Sequence, residues 1–290
     1  MSRKTKLEYY GDQRLKQMYR MGRGTSKYAD KRVPGGIKDK IYSRSTYVNY
    51  KTFWHRYCNW LHAAHPKVWL LEESAEYRQE WVDYLTANGR SAWTIRSYVQ
   101  AVCKVTGTTS SDLSMPKRRA QDIVRSRKPV AYDAHYCAAN HHDLEVVCRS
   151  SGLRRADVEH LRGTDLVRSA TSPSGYSIIV LRSKGGRDRL SPLVGPEAGE
   201  AIEIMKRAGS NKVFDRVPRS ADIHNMRAIY AARLYHEYAR PKDAIKQCDI
   251  YLGRGAHAGK WYDRAALMVV SRALGHSRCN VVVEHYSQYF

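Results

Sequence analysis

The second half of the chain holds arginine, lysine, histidine and tyrosine residues that could together bind an anion, transfer a proton and supply an oxygen nucleophile. They are Arg154 in SGLRRADVEHL, Lys184 in SKGGRD, His224 and Arg227 in HNMR, His276 in ALGH, and Tyr286. Taken singly, each has an ordinary explanation as a surface arginine, a turn lysine, a capping histidine or a packed tyrosine. The final stretch, RALGHSRCNVVVEHYSQYF, is therefore either a docked core helix or part of an active site.

The charge of the chain points to a polyanionic partner. Fifty Lys and Arg oppose 28 Asp and Glu, which leaves a net charge of +22 spread over the 290 residues. Such a surface releases counterions from nucleic acid, which favours nucleic acid over a basic surface that binds nothing. No apolar run approaches the roughly 18 residues of a membrane span, and the first residues lack a signal-peptide core. We expect a cytoplasmic, nucleoid-associated protein with no membrane partner.

The cysteines indicate neither disulfides nor a metal site. The six cysteines form no CxxC pair, which is typical of free thiols in a reducing compartment. One group of His and Cys could be drawn as a zinc site, but its spacing matches no usual ligand pattern and a helix face is the simpler interpretation. The group consists of His135, Cys137, His141, His142 and Cys148.

Apolar periodicity and composition divide the chain into four segments. Residues 1–38 are predicted to be a basic N-terminal arm, although a short helix there is possible from its apolar residues. Residues 39–113 repeat apolar side chains every three or four positions, which predicts a small helical bundle. Residues 114–135 resemble a basic linker. Residues 136–290 combine helices with one strand–turn–strand pattern, YSIIVLR–SKGGRD–RLSPLV, so the chain should be mainly α with a small β-hairpin or sheet.

The order of the reactive motifs closely resembles that of the tyrosine recombinases, the family of the phage-type integrases. That family carries an arginine, a hairpin lysine, His-x-x-Arg, Leu-Gly-His and a nucleophilic tyrosine in this order and near this spacing. The resemblance covers the last 155 residues strongly. Residues 39–113 match the helical core-binding domain of the family only loosely. The resemblance implies a two-domain architecture, with that bundle followed by a mixed α/β catalytic domain.

The resemblance also implies the role of each basic residue. Arg154 and Arg227 would grip the non-bridging oxygens of a phosphodiester, which guanidinium groups do bidentately while staying charged. His224 and His276 would donate hydrogen bonds to the transition state or manage the proton of the nucleophile. Asp157, one turn after Arg154, matches a position where the family has an acid that orients an arginine.

Tyr286 would attack the phosphorus in line and form a 3′-phosphotyrosyl bond, while Lys184 would protonate the departing 5′-oxygen. The distance from His276 to Tyr286 is ten residues, where nine is commoner in the family. Tyr289 is therefore an alternative nucleophile, but the position of Tyr286 directly after the apolar run VVVEH favours Tyr286.

By this resemblance the chain would be a site-specific DNA recombinase, the integrase of a mobile element, that needs neither metal nor cofactor. Its partners would be double-stranded DNA, three further copies in a synaptic tetramer, and accessory DNA-bending or directionality proteins. Two alternatives stay open, a type IB topoisomerase-like enzyme and a non-catalytic DNA-binding relative. The insertion at 240–262 has no assigned role. The basic residues expected to contact DNA are Arg96, Lys117, Arg118, Arg119 and Arg187.

Overall fold

The computed structural model describes residues 3–119, 122, 136–183 and 187–290. The chain divides into two compact units, Met1–Val124 and Arg125–Phe290. Their boundary lies inside the segment for which the sequence predicts a linker. Both units are mainly helical, and all strands of the described residues belong to the second unit. The predicted fold class, mainly α with a small sheet in the C-terminal part, is thereby confirmed.

The helices of the first unit are α1 (Arg3–Gly22), α2 (Lys27–Asp30), α3 (Arg44–Ala64), α4 (Leu71–Ser74), α5 (Arg78–Ala87) and α6 (Ala92–Thr106). Serine side chains begin two of them: Ser43 accepts from the Thr46 amide before α3, and Ser91 accepts from the Thr94 amide before α6. Gly107, in the left-handed conformation at φ 75°, ends α6. These signals are local, because each cap lies within a few positions of the helix end that it marks.

The predicted basic arm is wrong for residues 3–22, because they form a helix that belongs to the core of the first unit. Leu7, Leu15 and Met18 are at most 3% exposed and pack with the apolar faces of α3, α5 and α6. Together with Gly11 they form one stripe at helical spacing. The lysines and arginines of the helix occupy its remaining faces. Because they are numerous, the composition of the segment is basic and does not reveal the apolar stripe.

Gly11 of α1 lies against the side chain of Trp54 on α3, so that a Cβ atom at Gly11 would lie 2.0 Å from Trp54 Nε1. We expect Gly11→Ala to lower the free energy of unfolding of the first unit by about 1–3 kcal/mol, since overpacking outweighs the better helix propensity of alanine. The matched control is Gly199→Ala, a helical position where a Cβ meets nothing within 4 Å. That change should be neutral or stabilise by up to about 1 kcal/mol. Urea unfolding of both variants measures the difference, and equal responses would contradict the close approach.

The helices of the second unit are α7 (His142–Ser151), α8 (Arg155–Val158), α9 (Ala198–Ala208), α10 (Ile223–Tyr238), α11 (Arg264–Ala273) and α12 (Cys279–Tyr286). Its strands are β1 (Leu166–Arg168), β2 (Tyr176–Ser183), β3 (Arg187–Pro192), β4 (Ile250–Leu252) and β5 (Trp261–Asp263).

The three-stranded sheet has the order β1–β2–β3 with antiparallel pairs, and β2–β3 is the hairpin that the sequence predicts. Its register pairs Ile178 with Ser191 and Val180 with Arg189. Arg189 and Ser191 are buried, whereas Leu190 between them is 47% exposed, so β3 turns its polar residues inward. Residues 184–186, which include the predicted Lys184, lie outside the described residues.

Helix α10 lies between two cores of the second unit. Its first turns pack into the core formed by α7, the sheet and α9, and its later turns pack into the core of α11 and α12. A helix buried on most of its faces is normally apolar throughout. Arg227, only 3% exposed in the middle of this helix, is therefore a strong sign of function.

The insertion at 240–262, to which the sequence assigns no role, contributes to a second two-stranded sheet, β4–β5. Ile250 pairs with Asp263 at its base. Asp263 is fully buried, caps α11 by accepting from the Ala265 amide at 2.8 Å, and binds Arg240 with both carboxylate oxygens. The insertion is thus anchored at the start of the helix that leads to His276.

Candidate active site

Four separate elements of the second unit bring the predicted residues to one cavity of about 360 Å³. Arg154 is the N-cap of α8, and His224 and Arg227 lie one turn apart on α10. His276 follows the left-handed Gly275 after α11, and Tyr286 is the last residue of α12. Five of the six predicted catalytic side chains therefore line the same cavity; the sixth, Lys184, lies outside the described residues.

The phenol of Tyr286 lies beside the guanidinium of Arg227. Arg227 Nε donates to Tyr286 Oη at 3.2 Å, and both side chains are buried. The rings of His224 and His276 have their centroids 5.9 and 6.4 Å from that of Tyr286. A guanidinium at this position can stabilise negative charge that develops on the phenol oxygen during a reaction.

The alternative nucleophile, Tyr289, is held elsewhere. It lies in the short 3-10 turn Ser287–Tyr289, where its hydroxyl donates to Asn225 Oδ1 at 3.1 Å. It does not line the cavity that contains Tyr286. The geometry favours Tyr286, although the spacing to His276 exceeds the common family value by one residue.

The backbone carbonyls at the end of α11 hold three arginines. Leu274 O accepts from Arg154 at 2.8 Å and from Arg227 at 2.6 Å, and Ala273 O accepts from Arg189 Nε at 2.9 Å. The last carbonyls of a helix have no partner within the helix and carry the negative end of its dipole. These carbonyl groups therefore accept hydrogen bonds from the guanidinium groups, and because they carry no formal negative charge they do not neutralise them.

Asp157 orients an arginine, but its side-chain partner is Arg189, which the sequence did not single out. Asp157 accepts from Arg189 at 2.8 Å, from the hydroxyl of Ser183 at 3.1 Å and from the backbone amide of Arg154 at 3.1 Å. The guanidinium of Arg154 donates to Ser183 Oγ at 2.9 Å instead. The signal that could have identified Arg189 is its inward position in β3, opposite the buried Val180.

The cluster is positively charged and poorly solvated. Burial and the neighbouring Arg227 and Arg189 lower the pKa of Arg154 to about 10, and burial also lowers the pKa of Arg227. Burial would raise the pKa of Asp157, but the hydrogen bond and charge of Arg189 outweigh it, so that this pKa lies below its usual value. Both arginines remain charged near neutral pH, and an anion in the cavity would relieve their mutual repulsion.

His276 is uncharged at neutral pH. Burial and the charges of Arg227 and Arg154 lower its pKa to about 4. Its Nε2 is buried and has no hydrogen-bond partner among the described residues. A neutral imidazole with an unused ring nitrogen in a cavity can accept a proton from a nucleophile.

Comparison with known proteins places this geometry in a known fold. No family model matches the chain, and no curated protein matches it. Among solved structures, the XerH site-specific recombinase in a post-cleavage complex with a palindromic difH substrate is similar over 99% of this chain and 93% of its own, with 11% identity and a TM-score of 0.50. The chain has the tyrosine-recombinase fold. A second similar structure is that of the Tn1549 transposon integrase in complex with transposon right-end DNA. The match covers 82% of this chain and 89% of the integrase chain, with 15% identity and a TM-score of 0.42.

Four of the five residues predicted to contact DNA lie in the first unit of the tyrosine-recombinase fold. Lys117, Arg118 and Arg119 are exposed, and the guanidinium of Arg118 lies 6.0 Å from the ring centre of Trp93. Arg96 is half-buried and lines a separate cavity of about 700 Å³. The backbone of the fifth, Arg187, begins β3, and its side chain is not described. Contact with DNA stays a prediction for all five.

Four members of the His and Cys group, Cys137, His141, His142 and Cys148, lie among the described residues. In the described part of the chain, no three His, Cys, Asp or Glu residues come close enough to hold a metal ion. His142 instead contacts Glu200 at 2.7 Å, and Cys148 is buried in the core of the second unit; His135 lies outside the described residues. Among the described helices, none combines the length and the apolar character needed to cross a bilayer.

The low pKa of His276 predicts how stability depends on pH. Its pKa in the folded state is about 4, below the ordinary 6.5, so between these values the unfolded chain binds a proton that the folded chain does not. Stability should therefore fall as the pH is lowered from about 6.5 to about 4. His276→Gln should make this fall shallower, as measured by melting temperature against pH. His160→Gln, an exposed histidine of the same unit, is the control; a wild-type slope in His276→Gln would contradict the prediction.

Proposed function

We propose that this protein is a site-specific DNA recombinase that cuts and rejoins duplex DNA through a covalent bond to Tyr286. The observation that carries the proposal is the contact between Tyr286 and Arg227 inside a cavity rich in arginine. A buried phenol beside an unneutralised guanidinium has the chemistry of a nucleophile that attacks an anion. The net charge of +22 supports DNA as the substrate.

The scissile phosphate would bind between Arg154 and Arg227. Each already donates to Leu274 O, which holds the two guanidinium groups on the same side of one carbonyl group. Their remaining donors can contact the non-bridging oxygens of a phosphodiester, a geometry for which the guanidinium fork is suited. His224, which lines the same cavity, supplies a further ring nitrogen for the charge that develops on these oxygens.

In the cleavage step Tyr286 Oη bonds to phosphorus and the bond from phosphorus to the 5′-oxygen breaks. The phenol proton passes to the neutral His276, and the departing 5′-oxygen takes up a proton, for which the family resemblance implies Lys184. One phosphate ester replaces another of similar energy. The attack of a 5′-hydroxyl on the phosphotyrosyl bond therefore rejoins the strand without a nucleotide cofactor.

Recombination between two sites would place four copies of the chain on two duplexes. The proposal has three further parts besides the tetramer. They are accessory DNA-bending or directionality proteins, association with the nucleoid, and the identity of the chain as the integrase of a mobile element. They rest on the motif order in the sequence and on the fold.

The test first uses a mobility-shift assay to find which duplexes from the DNA flanking the protein's own gene bind the protein. A duplex that binds is then prepared as a nicked suicide substrate. The protein is incubated with the bound duplex in EDTA and separated on a denaturing gel. We expect a covalent adduct with the wild type, and a loss of more than about 10³-fold with Tyr286→Phe because the nucleophile is removed. Tyr289→Phe is the matched control, since it loses only the hydrogen bond to Asn225 and should retain the adduct.

Three other outcomes of the adduct experiment would favour a different nucleophile or a different function. An adduct that persists in Tyr286→Phe and disappears in Tyr289→Phe would contradict the assignment of the nucleophile. A bound duplex without any adduct in the wild type would favour the non-catalytic relative. An adduct without joining of two separate sites, but with relaxation of supercoiled plasmid, would favour the topoisomerase-like alternative.

A further inference from the structure

Arg189 is a buried arginine next to the active site that the cleavage steps above do not use. Its side chain is 4% exposed, and it forms an ion pair with Asp157, 9% exposed, at 2.8 Å. Its Nε donates to Ala273 O at 2.9 Å. Its third nitrogen is buried without a hydrogen-bond partner among the described residues. The strand thus buries the charged Arg189 and exposes its apolar neighbour, Leu190, which is the reverse of the usual arrangement.

The contacts of Arg189 join three elements that carry the active site. Arg189 lies on β3, its ionic partner Asp157 on α8, and the carbonyl that it binds at the end of α11. Asp157 also accepts from the backbone amide of Arg154 and from Ser183 Oγ, which in turn accepts from the Arg154 guanidinium. Through Asp157, Arg189 therefore reaches both the backbone and the side chain of a phosphate-binding residue.

Arg189 also supports the turn that carries His276. Gly275 has a φ of 71°, and a Cβ atom there would lie 3.3 Å from Arg189 Cδ and 3.3 Å from a terminal nitrogen of Arg154. The turn between α11 and α12 thus closes directly on both arginines. A displacement of the Arg189 side chain would shift Ala273, Gly275 and the histidine that follows them.

Stability alone is a weak reason for this ion pair. Two charges lose their hydration on burial, and replacing such a pair by uncharged groups of similar size is often neutral for stability or stabilises the fold. Removing only one partner, in contrast, leaves an uncompensated charge and destabilises strongly. The benefit of the pair must then be sought in what it holds in place.

We propose that Arg189 is a positioning residue, whose contacts with Asp157 and Ala273 hold Arg154 and the His276 turn in the arrangement that cleaves DNA. This inference rests on the proposed function. It predicts that the chemical step, and not the fold or the binding of DNA, depends on the charged pair.

The experiment separates positioning from stability with a neutral replacement of the whole pair. Asp157→Asn keeps an acceptor for the Arg154 amide and presents its Nδ2 donor to Ser183 Oγ. Arg189→Met keeps an unbranched side chain as far as the position of Nε. The variants are Arg189→Met, Arg189→Lys and the double variant Asp157→Asn/Arg189→Met. For each, the melting temperature, the dissociation constant for the bound duplex and the single-turnover rate of adduct formation on the suicide substrate are measured.

We expect the double variant to recover most of the melting temperature lost in Arg189→Met. Its DNA affinity should stay within about threefold of the wild type, while its cleavage rate stays about 10²-fold lower, as for a misplacement of the order of an ångström. Arg189→Lys should recover part of the rate, because it restores the charge but not the fork. The matched control is the ion pair Arg233–Glu197 of the same unit, 2.6 Å apart, neither residue of which lines the cavity. The variant Glu197→Gln/Arg233→Met should cleave at the wild-type rate.

Two results would overturn the inference in distinguishable ways. A double variant that cleaves within about threefold of the wild type would show that the pair serves only the fold. If the wild-type protein binds the duplex but forms no covalent adduct, the proposed function is refuted, and the inference about Arg189 is refuted with it.

Discussion

The second unit depends on the hydrogen bonds that two consecutive carbonyl groups, Ala273 O and Leu274 O, accept from three arginines. The carbonyls end α11, and the arginines come from β3, α8 and α10, elements far apart in the chain. A helix end provides acceptors that need partners and a partial negative charge that attracts cations. The same contacts thus fix the elements to each other and hold the guanidinium groups around the cavity.

This arrangement leaves the site short of negative charge. Among the described residues that form hydrogen bonds in the cluster, Asp157 is the one carboxylate beside the guanidinium groups of Arg154, Arg189 and Arg227. Burial makes the charged forms of Arg154 and Arg227 less favourable, as their lowered pKa values indicate. The protein therefore tolerates in its free state an unfavourable electrostatic arrangement that a phosphodiester would relieve, which is the arrangement expected of a preorganised anion site.

The last residues of the chain keep Tyr286 in this site. The ring of Phe290 stacks on Tyr235 with centroids 4.4 Å apart, and Tyr289 binds Asn225, so that residues after Tyr286 pack on α10 of the same chain. Because α10 also carries Arg227, the residues after Tyr286 and the arginine that contacts its hydroxyl lie on the same helix. Packing on α10 thus contributes to the position of Tyr286 beside Arg227.

The sequence by itself determined the local features of this protein: the helices with serine caps and glycine ends, the β2–β3 hairpin, and the types and order of the reactive residues. Those features depend on neighbours within a few positions, and so they can be read from spacing. Only the tertiary structure decided that residues 3–22 belong to a core, that the 240–262 insertion pairs as two strands, and that Asp157 binds Arg189. It also places Tyr286 and Tyr289 in different surroundings, whereas the sequence favoured Tyr286 only by its position directly after the apolar run. The reason is that a buried guanidinium finds its partners among carbonyls and carboxylates of distant elements, as Arg189 does with Ala273, 84 positions away, and no local pattern specifies which element will supply them.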